Sequence, residues 1–479
     1  MQRVVGVTAD DDDAFVAEFH ELRGVLLKDG HLRLGEVSKV YAGPEFELEE
    51  EVPGCLLGLG ESGEREKGEA EKSHFAESTT KRYAGSRGKR ACSKLSSWEM
   101  RTFLIATLLT GGLAGVATAQ PARWTEKAAN DWYAKQPWLV GSNYLPATAI
   151  NQLEMWQADT FDPIWIETEL NWAEDLGMTT MRVFLHDLPW KQDAGAFQGR
   201  INKFLAIADR HKIKPIFVLF DSCWDPYPAI NDQRAPKPGV HNSGWVQSPG
   251  VAALRDPAQT DRLRQYVQGV IGAYRYDRRV LAWDLWNEPD NTNDSSYKRL
   301  EPDNKKDLVL ALLPKVFEWA RAMLPNQPLT SGVWRGDWSS PEKLDAMQKI
   351  QIEESDVISF HNYDGPAEFE KRVLWLQAWK RPLLCTEYMA RPNGSTFQAI
   401  LPVAKKYKVA MMNWGFVNGK SQTNLPWDSW QKPYTDRQPA VWFHDIFQKD
   451  GTPYRQDEVD FIRQMTGYGV KSKKAKSGR

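Results

Sequence analysis

This chain of 479 residues contains few cysteines and few histidines, and neither sign of charge is in large excess. The four cysteines include no CxxC or similar spacing, which excludes a disulfide framework and a cysteine-based zinc site. The eight histidines stand singly, whereas a metal-dependent barrel hydrolase would place histidine pairs at strand ends. A formal net charge of −2 favours neither nucleic acid nor a membrane surface. We therefore expect no metal, cofactor, nucleic-acid partner or membrane partner, and interpret Cys223 and Cys385 as small, partly buried residues.

Tryptophan is the residue type in clearest excess, with 21 in the chain. A flat aromatic ring with a polar N–H suits stacking on the C–H face of a sugar. Core packing is the alternative, and Trp165, Trp172 and Trp319 do lie in helical patterns. Nine others fall at predicted strand ends or in the following loops: Trp190, Trp224, Trp245, Trp286, Trp334, Trp338, Trp414, Trp427 and Trp430. Their placement favours a ligand-binding surface.

The first part of the chain differs from the rest. Residues 1–99 carry an Asp run and Glu-rich stretches without a helical or strand period, which predicts disorder or an over-extended gene model. From Met100, a basic start, an apolar run and Ala-Thr-Ala before Gln120 predict a signal peptide over 100–119. The run is too short to span a membrane. If Met100 is the true start, the mature protein is secreted or periplasmic.

From residue 138 onward, short apolar runs alternate with amphipathic stretches, which is typical of βα units and a parallel sheet. The predicted strands are 139–144, 180–185, 215–220, 280–286, 328–333, 357–361, 382–386 and 409–414. The predicted helices are 163–176, 197–211, 261–274, 305–323, 368–379, 396–406 and 457–465. No Gly-rich phosphate loop follows the first strand, so a (β/α)8 TIM barrel is favoured over an open doubly wound sheet. We expect one catalytic domain over 120–467, a basic flexible tail over 468–479, and a monomer.

Two glutamates each end a strand-like run. Glu288 lies in WDLWNEPDN and Glu387 in PLLCTEYMAR. In a parallel barrel, the C-terminal ends of the strands form the rim on which active sites are built. Two carboxylates on opposing strands suit glycoside hydrolysis, which needs an acid and a base or nucleophile on either side of the scissile bond. Two unrelated surface glutamates are the alternative, and the aromatic residues around both argue against it.

Two long loops should lie on the same face as the glutamates. They span 221–256 after strand three and 415–440 after strand eight. Long ordered loops in compact domains tend to be functional. We expect them to wall a groove, with four tryptophans on its surface: Trp224, Trp245, Trp427 and Trp430.

The Asn287-Glu288-Pro289 motif at the end of strand four, paired with Glu387 at the end of strand seven, resembles the retaining glycoside hydrolases of clan A. Family 5, which includes cellulases, mannanases and xylanases, is the most similar, and the resemblance covers roughly residues 138–414. It implies hydrolysis of β-glycosidic bonds in plant-type polysaccharide or oligosaccharide of the xylan, glucan or mannan class. It also implies that Glu288 is the acid/base, that Glu387 is the nucleophile, and that their carboxyl groups lie about 5–5.5 Å apart.

The resemblance assigns supporting roles around the two glutamates. Arg182 would supply positive charge to the nucleophile, although pairing with Asp284 is an alternative. Tyr363 would donate a hydrogen bond to the nucleophile, and Asn287 would bind the sugar 2-hydroxyl.

Two further residues complete the resemblance, and one position departs from it. His361 resembles the active-site histidine of the family, and Trp414 the aromatic floor under the reacting sugar; for both, a core position is the alternative. After strand three the family often has a histidine, whereas this chain reads FDSCW, so Asp221 and Trp224 are candidates for that place. Trp245, further along that loop, is a candidate for sugar binding.

Three other functions remain open at this point. An exo-acting β-glycosidase or a transglycosylase of the same clan would have a closed pocket where an endo-acting enzyme has an open groove. A carbohydrate-binding protein on an inactive barrel and a metal-dependent hydrolase are less favoured by the residues present. The sequence leaves the sugar, the linkage and endo or exo action undetermined.

Overall fold

The computed structural model describes residues 122–468. The predicted disordered region at 1–99, the predicted signal peptide at 100–119 and the tail from 469 onward lie outside the described residues, so these remain predictions. Among the residues that are described, no helix is both long and apolar enough to cross a membrane.

Eight parallel strands form the sheet. They are β1 (Val140–Tyr144), β2 (Thr180–Phe184), β3 (Lys214–Asp221), β4 (Ala282–Asn287), β5 (Leu329–Thr330), β6 (Ile358–His361), β7 (Leu383–Glu387) and β8 (Ala410–Asn413). Their order is β5-β4-β3-β2-β1-β8-β7-β6. Between β5 and β6, the Val333 backbone N–H donates to the Ser359 carbonyl at 3.1 Å, and the His361 N–H donates to the Val333 carbonyl at 3.0 Å. These bonds close the ring, and the predicted (β/α)8 barrel is confirmed.

Helices surround the barrel. In chain order they are α1 (Glu126–Ala134), α2 (Gln152–Trp156), α3 (Pro163–Asp175), α4 (Asp187–Gln192), α5 (Ala194–Arg210), α6 (Val251–Arg255), α7 (Thr260–Tyr274), α8 (Lys305–Arg321), α9 (Ala346–Glu354), α10 (Pro366–Gln377), α11 (Phe397–Lys406) and α12 (Gln456–Thr466). Every strand residue is buried except Lys214, the first residue of β3, as expected where helices cover a parallel sheet.

The N-terminal end of the barrel is filled by apolar side chains. Ile216, Leu384 and Met412 belong to a buried cluster at that end, and Trp132 and Tyr133 of α1 pack against it. The sequence pattern did not predict α1. Its contribution is to cover the bottom of the barrel, which leaves the opposite rim as the accessible face.

Strand register brings the polar ends of the strands to one rim. Asn143 on β1 pairs with Arg182 on β2, and Asp221 on β3 pairs with Asn287 on β4. Because parallel strands end at the same edge, side chains that are far apart in sequence meet there. The register thus positions the predicted site residues before any loop contributes.

Several tryptophans predicted to line a ligand surface are core residues instead. Trp286 and Trp338 are among the largest fully buried side chains. Trp286 packs on Phe220 with ring centroids 5.1 Å apart, and Trp338 packs on Phe360 at 6.3 Å. Large rings fill the layer between strands and helices, so tryptophan excess alone overstated the size of the ligand surface.

Candidate active site

The two glutamates face each other at the C-terminal rim of the barrel. Glu387 is the last residue of β7, and Glu288 directly follows β4. One carboxylate oxygen of each, together with a ring nitrogen of His361, lie within 4.8 Å of one another. Glu288 has a φ of +42°, which is uncommon for a residue other than glycine. Such strained backbone concentrates at functional sites, where the surrounding structure enforces it.

Arg182 connects the two glutamate-bearing strands. Its guanidinium donates to Glu387 Oε1 at 2.8 Å, to Asn287 Oδ1 at 2.7 Å and to Asn143 Oδ1 at 2.9 Å. It also pairs with Asp284 Oδ2 at 2.8 Å, with both side chains fully buried. The sequence offered two partners for Arg182, Asp284 and the nucleophile candidate Glu387. In the structure Arg182 binds both at once. Asp284 offsets the buried cationic charge, and the planar guanidinium fixes both neighbours.

Glu387 has both carboxylate oxygens occupied by donors. Arg182 holds Oε1, and the Tyr363 hydroxyl donates to Oε2 at 2.7 Å. Burial raises the pKa of Glu387, while His361, Arg182 and Tyr363 act against that rise. Burial and the neighbouring Glu387 raise the pKa of Tyr363 well above its usual range, so the phenol stays protonated as a donor. This environment suits a carboxylate that must remain ionised.

Glu288 has a different environment without a cation in direct contact. The Asn291 amide donates to Oε2 at 2.7 Å, and the Cys223 thiol approaches the same oxygen at 3.3 Å. Burial raises the pKa of Glu288, and hydrogen bonds from Cys223 and Asn291 only partly oppose the rise. A raised pKa suits a group that must carry a proton before it donates it. The pKa of both glutamates is raised by burial, but only Glu387 has a guanidinium in direct contact.

His361 lies between the two carboxyl groups. Its Nδ1 is 3.0 Å from Glu288 Oε1 and 3.5 Å from Glu387 Oε2. Burial lowers the pKa of His361 to about 4, so the ring is neutral at neutral pH. Its contact with Glu288 is then a hydrogen bond and not an ion pair, and Glu387 lies slightly farther away.

Two of the predicted residues support the site from behind. Asp221 is buried and accepts hydrogen bonds from Asn287 Nδ2 at 2.9 Å and from Trp245 Nε1 at 2.5 Å. Trp245 is only 2% exposed and packs against Trp414 at 5.8 Å, so the prediction that it lies on the groove surface is corrected. Its indole N–H is drawn inward by the Asp221 carboxylate. Neither residue borders the cavity described next.

A cavity of about 260 Å³ opens above the two glutamates. Both glutamates and Asn287 border it together with four aromatic residues from four loops: Trp224, Trp334, Tyr363 and Trp414. Trp427 of the loop after β8 borders it as well and is 37% exposed. Trp430 instead stacks behind Trp224, with ring centroids 5.3 Å apart and planes 16° apart. Sequence reasoning thus identified Trp224, Trp414 and Trp427 as cavity residues and misplaced Trp430.

Cys223 borders the cavity, which the sequence interpretation did not predict. That interpretation makes it a small, partly buried residue, whereas the structure places it beside Glu288, in the segment where the family often has a histidine. His241 and Asn242, from the HNSG segment of the same loop, also border the cavity and were not singled out. The loop after β3 has no strand or helix period, so the sequence alone did not predict that His241 and Asn242 border the cavity.

The same three groups, Glu288, His361 and Glu387, could offer ligand atoms to a metal ion. Their existing partners fit hydrogen bonding better. The Arg182 guanidinium contacts Glu387 at 2.8 Å and would repel a cation there, and Tyr363 and Asn291 occupy further carboxylate oxygens. A metal site would require these donors to be displaced.

Comparison with known proteins supports the sequence resemblance. No family model matches the chain. The mannan endo-1,4-beta-mannosidase A of Hypocrea jecorina is 24% identical over 250 residues, which are 47% of this chain and 52% of that protein. A provisionally named mannan endo-1,4-beta-mannosidase 4 of Arabidopsis thaliana is 28% identical over 215 residues, 40% of this chain and 49% of that protein. The chain thus spans about half the length of the curated relatives it matches.

Solved structures with a similar fold include the exo-beta-1,4-mannosidase Op5Man5 from Opitutaceae bacterium strain TAV5. It has a TM-score of 0.48 and 18% identity and covers 70% of this chain and 60% of that chain. An endo-beta-1,4-mannanase from Thermotoga petrophila has a TM-score of 0.43 and 14% identity, with coverage of 70% and 77%.

The eight-stranded barrel, with one carboxylate directly after β4 and one at the end of β7, resembles the glycoside hydrolases of clan A. Within that class, the two sequence relatives confirm the resemblance to family 5 that the motifs around Glu288 and Glu387 carry.

Proposed function

We propose that this protein is a retaining glycoside hydrolase that cleaves β-glycosidic bonds in mannan-type polysaccharide or oligosaccharide. Both sequence relatives carry the name of a mannan-cleaving enzyme, which favours mannan over the xylan and glucan classes that the sequence left open. The role assignment is Glu288 as acid/base and Glu387 as nucleophile.

The observation that carries the proposal is the close approach of two carboxyl groups in unlike environments. One oxygen of Glu288 and one of Glu387 lie within 4.8 Å of each other. Retaining enzymes keep their carboxyl groups about 5–5.5 Å apart, whereas inverting enzymes need about 6.5–9.5 Å to admit a water molecule. The short separation supports attack by Glu387 itself.

The reaction then proceeds in two displacements. Glu387 attacks the anomeric carbon while Glu288 transfers its proton to the departing glycosidic oxygen, which forms a covalent glycosyl-enzyme and frees the leaving chain. In the second step, Glu288 takes a proton from water, the water oxygen bonds to the anomeric carbon, and the Glu387 ester bond breaks. Glu288 ends protonated and Glu387 ionised, so both groups are restored.

The surrounding residues serve both steps. Arg182 and Tyr363 stabilise the Glu387 carboxylate when it departs, because their hydrogen bonds are strongest to the ionised form. Asn287 is held between Arg182 and Asp221, so its amide is oriented before the sugar arrives. Such preorganised polar groups stabilise charge that develops in the transition state without reorganisation.

The test separates the two glutamates. Glu387→Ala should abolish turnover on every substrate, because no covalent intermediate can form. Glu288→Ala should retain more activity on dinitrophenyl β-glycosides than on oligosaccharides, because a dinitrophenolate leaves without a proton. Added azide should give a β-glycosyl azide with Glu288→Ala and an α-glycosyl azide with Glu387→Ala, as measured by NMR.

Reversed azide anomers would show that the two roles are exchanged. Wild-type activity in both variants would place the site elsewhere. Glu368→Ala is a suitable control, because Glu368 is exposed on α10 and pairs only with Lys371 at 3.0 Å among the described residues. A parallel screen with mannan, xylan and β-glucan oligosaccharides tests the sugar class.

A further inference from the structure

Three loops on one side of the rim are joined to each other. We call residues 145–151, after β1, 222–250, after β3, and 415–440, after β8, the rim wall. Several hydrogen bonds join the two longer loops: Asn242 N to Ser421 O (3.0 Å), Tyr434 N to Gly239 O (2.8 Å), His241 N to Ser429 Oγ (2.9 Å) and Gly239 N to Gln422 Oε1 (2.9 Å). The first loop joins them through Asn151 Nδ2, which donates to the Gly244 carbonyl at 2.8 Å.

The rim wall is sealed at backbone level. A Cβ added at Gly239 would lie 2.5 Å from the Tyr434 carbonyl carbon, and one at Gly419 would lie 2.4 Å from Ala147 backbone atoms. Gly239 also has a φ of +71°, which favours glycine. Backbones in such close contact leave no passage for a polysaccharide between the loops.

The inner face of the rim wall is backed by aromatic stacking. Trp224 borders the cavity and stacks on Trp430, and the Lys237 ammonium lies 4.8 Å from the Trp430 ring centroid. The side chains directly behind Trp224 are therefore packed against one another.

More accessible residues border the cavity opposite the rim wall. They lie in the loops after β4 and β5, where Ser295 is exposed and Trp334 is half-buried. The loop after β4 is itself joined to the rim wall, because Gln431 Nε2 donates to the Ser295 carbonyl at 3.3 Å. Glu288 directly follows β4 and is held both by Asn291 of the loop after β4, at 2.7 Å, and by Cys223 of the rim wall, at 3.3 Å. The acid protonates the leaving group, and the leaving chain departs on the more accessible side.

The sugar that becomes attached to Glu387 lies on the closed side. Trp414 borders the cavity, and its backbone N–H donates to the carbonyl of Tyr388, the residue after the nucleophile, at 3.0 Å. Trp414 also packs on Trp245 of the loop after β3. The cavity of about 260 Å³ is slightly smaller than the usual 300–1,000 Å³ of small-molecule pockets. It suits the end of a chain better than an interior segment.

Asn242 supplies an independent observation on the closed side. Its side chain is 1% exposed, it borders the cavity, and neither Oδ1 nor Nδ2 has a hydrogen-bond partner in the described part of the chain. Buried amides are almost always hydrogen-bonded, so an amide with both atoms unpaired at a cavity calls for a ligand. A sugar hydroxyl, which both donates and accepts, satisfies such a group.

We propose that the enzyme acts at the non-reducing end of a β-linked chain, with the rim wall closing the pocket behind the terminal sugar and Asn242 binding one of its hydroxyl groups. This inference rests on the proposed function, because it assumes that Glu387 and Glu288 act as nucleophile and acid.

The experiment uses β-1,4-mannohexaose carrying a fluorescent label at its reducing end. The first labelled products should be those shortened from the non-reducing end, in steps of one sugar. The same oligosaccharide with a 4,6-O-benzylidene group on its non-reducing sugar should be cleaved roughly tenfold more slowly or worse, because the blocked sugar clashes with the rim wall.

Two results are decisive in different ways. Short labelled fragments from internal cleavage, or equal rates on the free and blocked substrates, would overturn chain-end action and leave the proposed function standing. Absence of hydrolysis on manno-, gluco- and xylo-oligosaccharides alike would overturn the proposed function itself.

Asn242→Ala tests whether Asn242 binds a hydroxyl group of the terminal sugar. The variant should lose roughly tenfold or more in kcat/KM on the free hexasaccharide, while its Tm without ligand stays equal or rises, because an unpaired buried amide is removed. Asn202→Ala on α5 is the matched control: Asn202 is exposed and accepts a hydrogen bond from Arg279 at 2.8 Å, so kcat/KM should stay unchanged and the Tm should change little. A lowered Tm with unchanged kcat/KM would make Asn242 structural and overturn its assignment.

Discussion

Cys223 is the side chain that most distinguishes the surroundings of Glu288. Its Sγ lies 3.3 Å from Glu288 Oε2 and 3.5 Å from the amide nitrogens of both Asn287 and Asn291. Burial and the neighbouring Glu288 carboxylate raise the pKa of the Cys223 thiol well above its usual range. The sulfur is therefore protonated at neutral pH and donates a weak hydrogen bond to the acid.

Replacement of Cys223 should change the pH profile. The thiol donor favours ionised Glu288, so Cys223→Ala should raise the pKa of Glu288 and move the basic limb of kcat/KM to higher pH. A hydrogen bond contributes about 0.5–1.5 kcal/mol, and one pKa unit corresponds to about 1.4 kcal/mol, so the shift should be about 0.5–1 unit.

Cys223→Ser keeps a donor at the same place and should leave the basic limb near its wild-type position. The pH dependence of kcat/KM on an unactivated oligosaccharide is the measurement. Coincident profiles for wild type and Cys223→Ala would show that the thiol only fills space.

Residues at strand ends could be placed from the sequence, and residues on irregular loops could not. Glu387 and Arg182 belong to short apolar runs whose ends meet at one rim by the geometry of a parallel barrel. Trp224 has a φ of +67° and turns the loop so that Cys223 faces Glu288, and no periodic pattern encodes that turn. The prediction that Trp245 lies on the groove surface was wrong for a related reason: only the fold shows that its indole N–H donates inward to the Asp221 carboxylate.

At the scale of elements, all eight predicted strands are present, while five helices of the described chain were not predicted: α1, α2, α4, α6 and α9. Helix α9 follows β5 and buries Gln348 and Gln351, which donate to the Arg335 and Gly332 carbonyls. Polar residues facing the core hide the apolar period on which a helix prediction depends. β5 is reduced to Leu329–Thr330, because beyond it the chain bonds to β6 only through Val333.

The rim wall depends on a glycine contact that a single methyl group would disrupt. Gly419→Ala would place a Cβ 2.4 Å from backbone atoms of Ala147, which cannot move aside as a flexible side chain could. Overpacking of this kind costs about 1–3 kcal/mol. We expect a lower Tm and a reduced ratio of free to blocked hexasaccharide cleavage, measured by thermal unfolding and the labelled-substrate assay.

Gly199→Ala is the control for this change. Gly199 lies within α5, and a Cβ there meets nothing within 4 Å. Alanine is favoured over glycine in a helix interior by about 1 kcal/mol, so the Tm should rise slightly with activity unchanged. An equal Tm for Gly419→Ala and wild type would contradict the tight contact.

For the molecule as a whole, buried carboxyl groups set the pH dependence of stability. Glu169 on α3 is fully buried and accepts hydrogen bonds from Tyr144, Ala147 and Trp165. Burial raises its pKa from 4.5 to about 7. Because the folded pKa lies above the unfolded one, this group's contribution is fully present below about pH 4.5 and is lost as pH rises through 7.

Glu169→Gln should flatten this dependence, because the amide has nearly the same shape and cannot ionise. The difference between the wild-type Tm and the Tm of the variant should fall between pH 5 and pH 8, as measured by calorimetry in buffers of equal ionic strength. Buried histidines whose pKa is lowered, such as His186, contribute the opposite trend equally in both proteins. Parallel curves for the two proteins would mean that Glu169 does not titrate in this range. Asp445, whose pKa burial also raises to about 7, contributes a fall of the same sign in both proteins.

The proposed chain-end action imposes an order on the catalytic cycle. If the rim wall closes the pocket behind the terminal sugar, the truncated chain departs first, water enters by the path that it leaves, and the freed sugar leaves last. The polymer must therefore detach completely after every cleavage, so successive cuts on one chain are independent encounters. Free monosaccharide competes directly with new chain ends for the closed side, and accumulated product slows the enzyme even when substrate is plentiful.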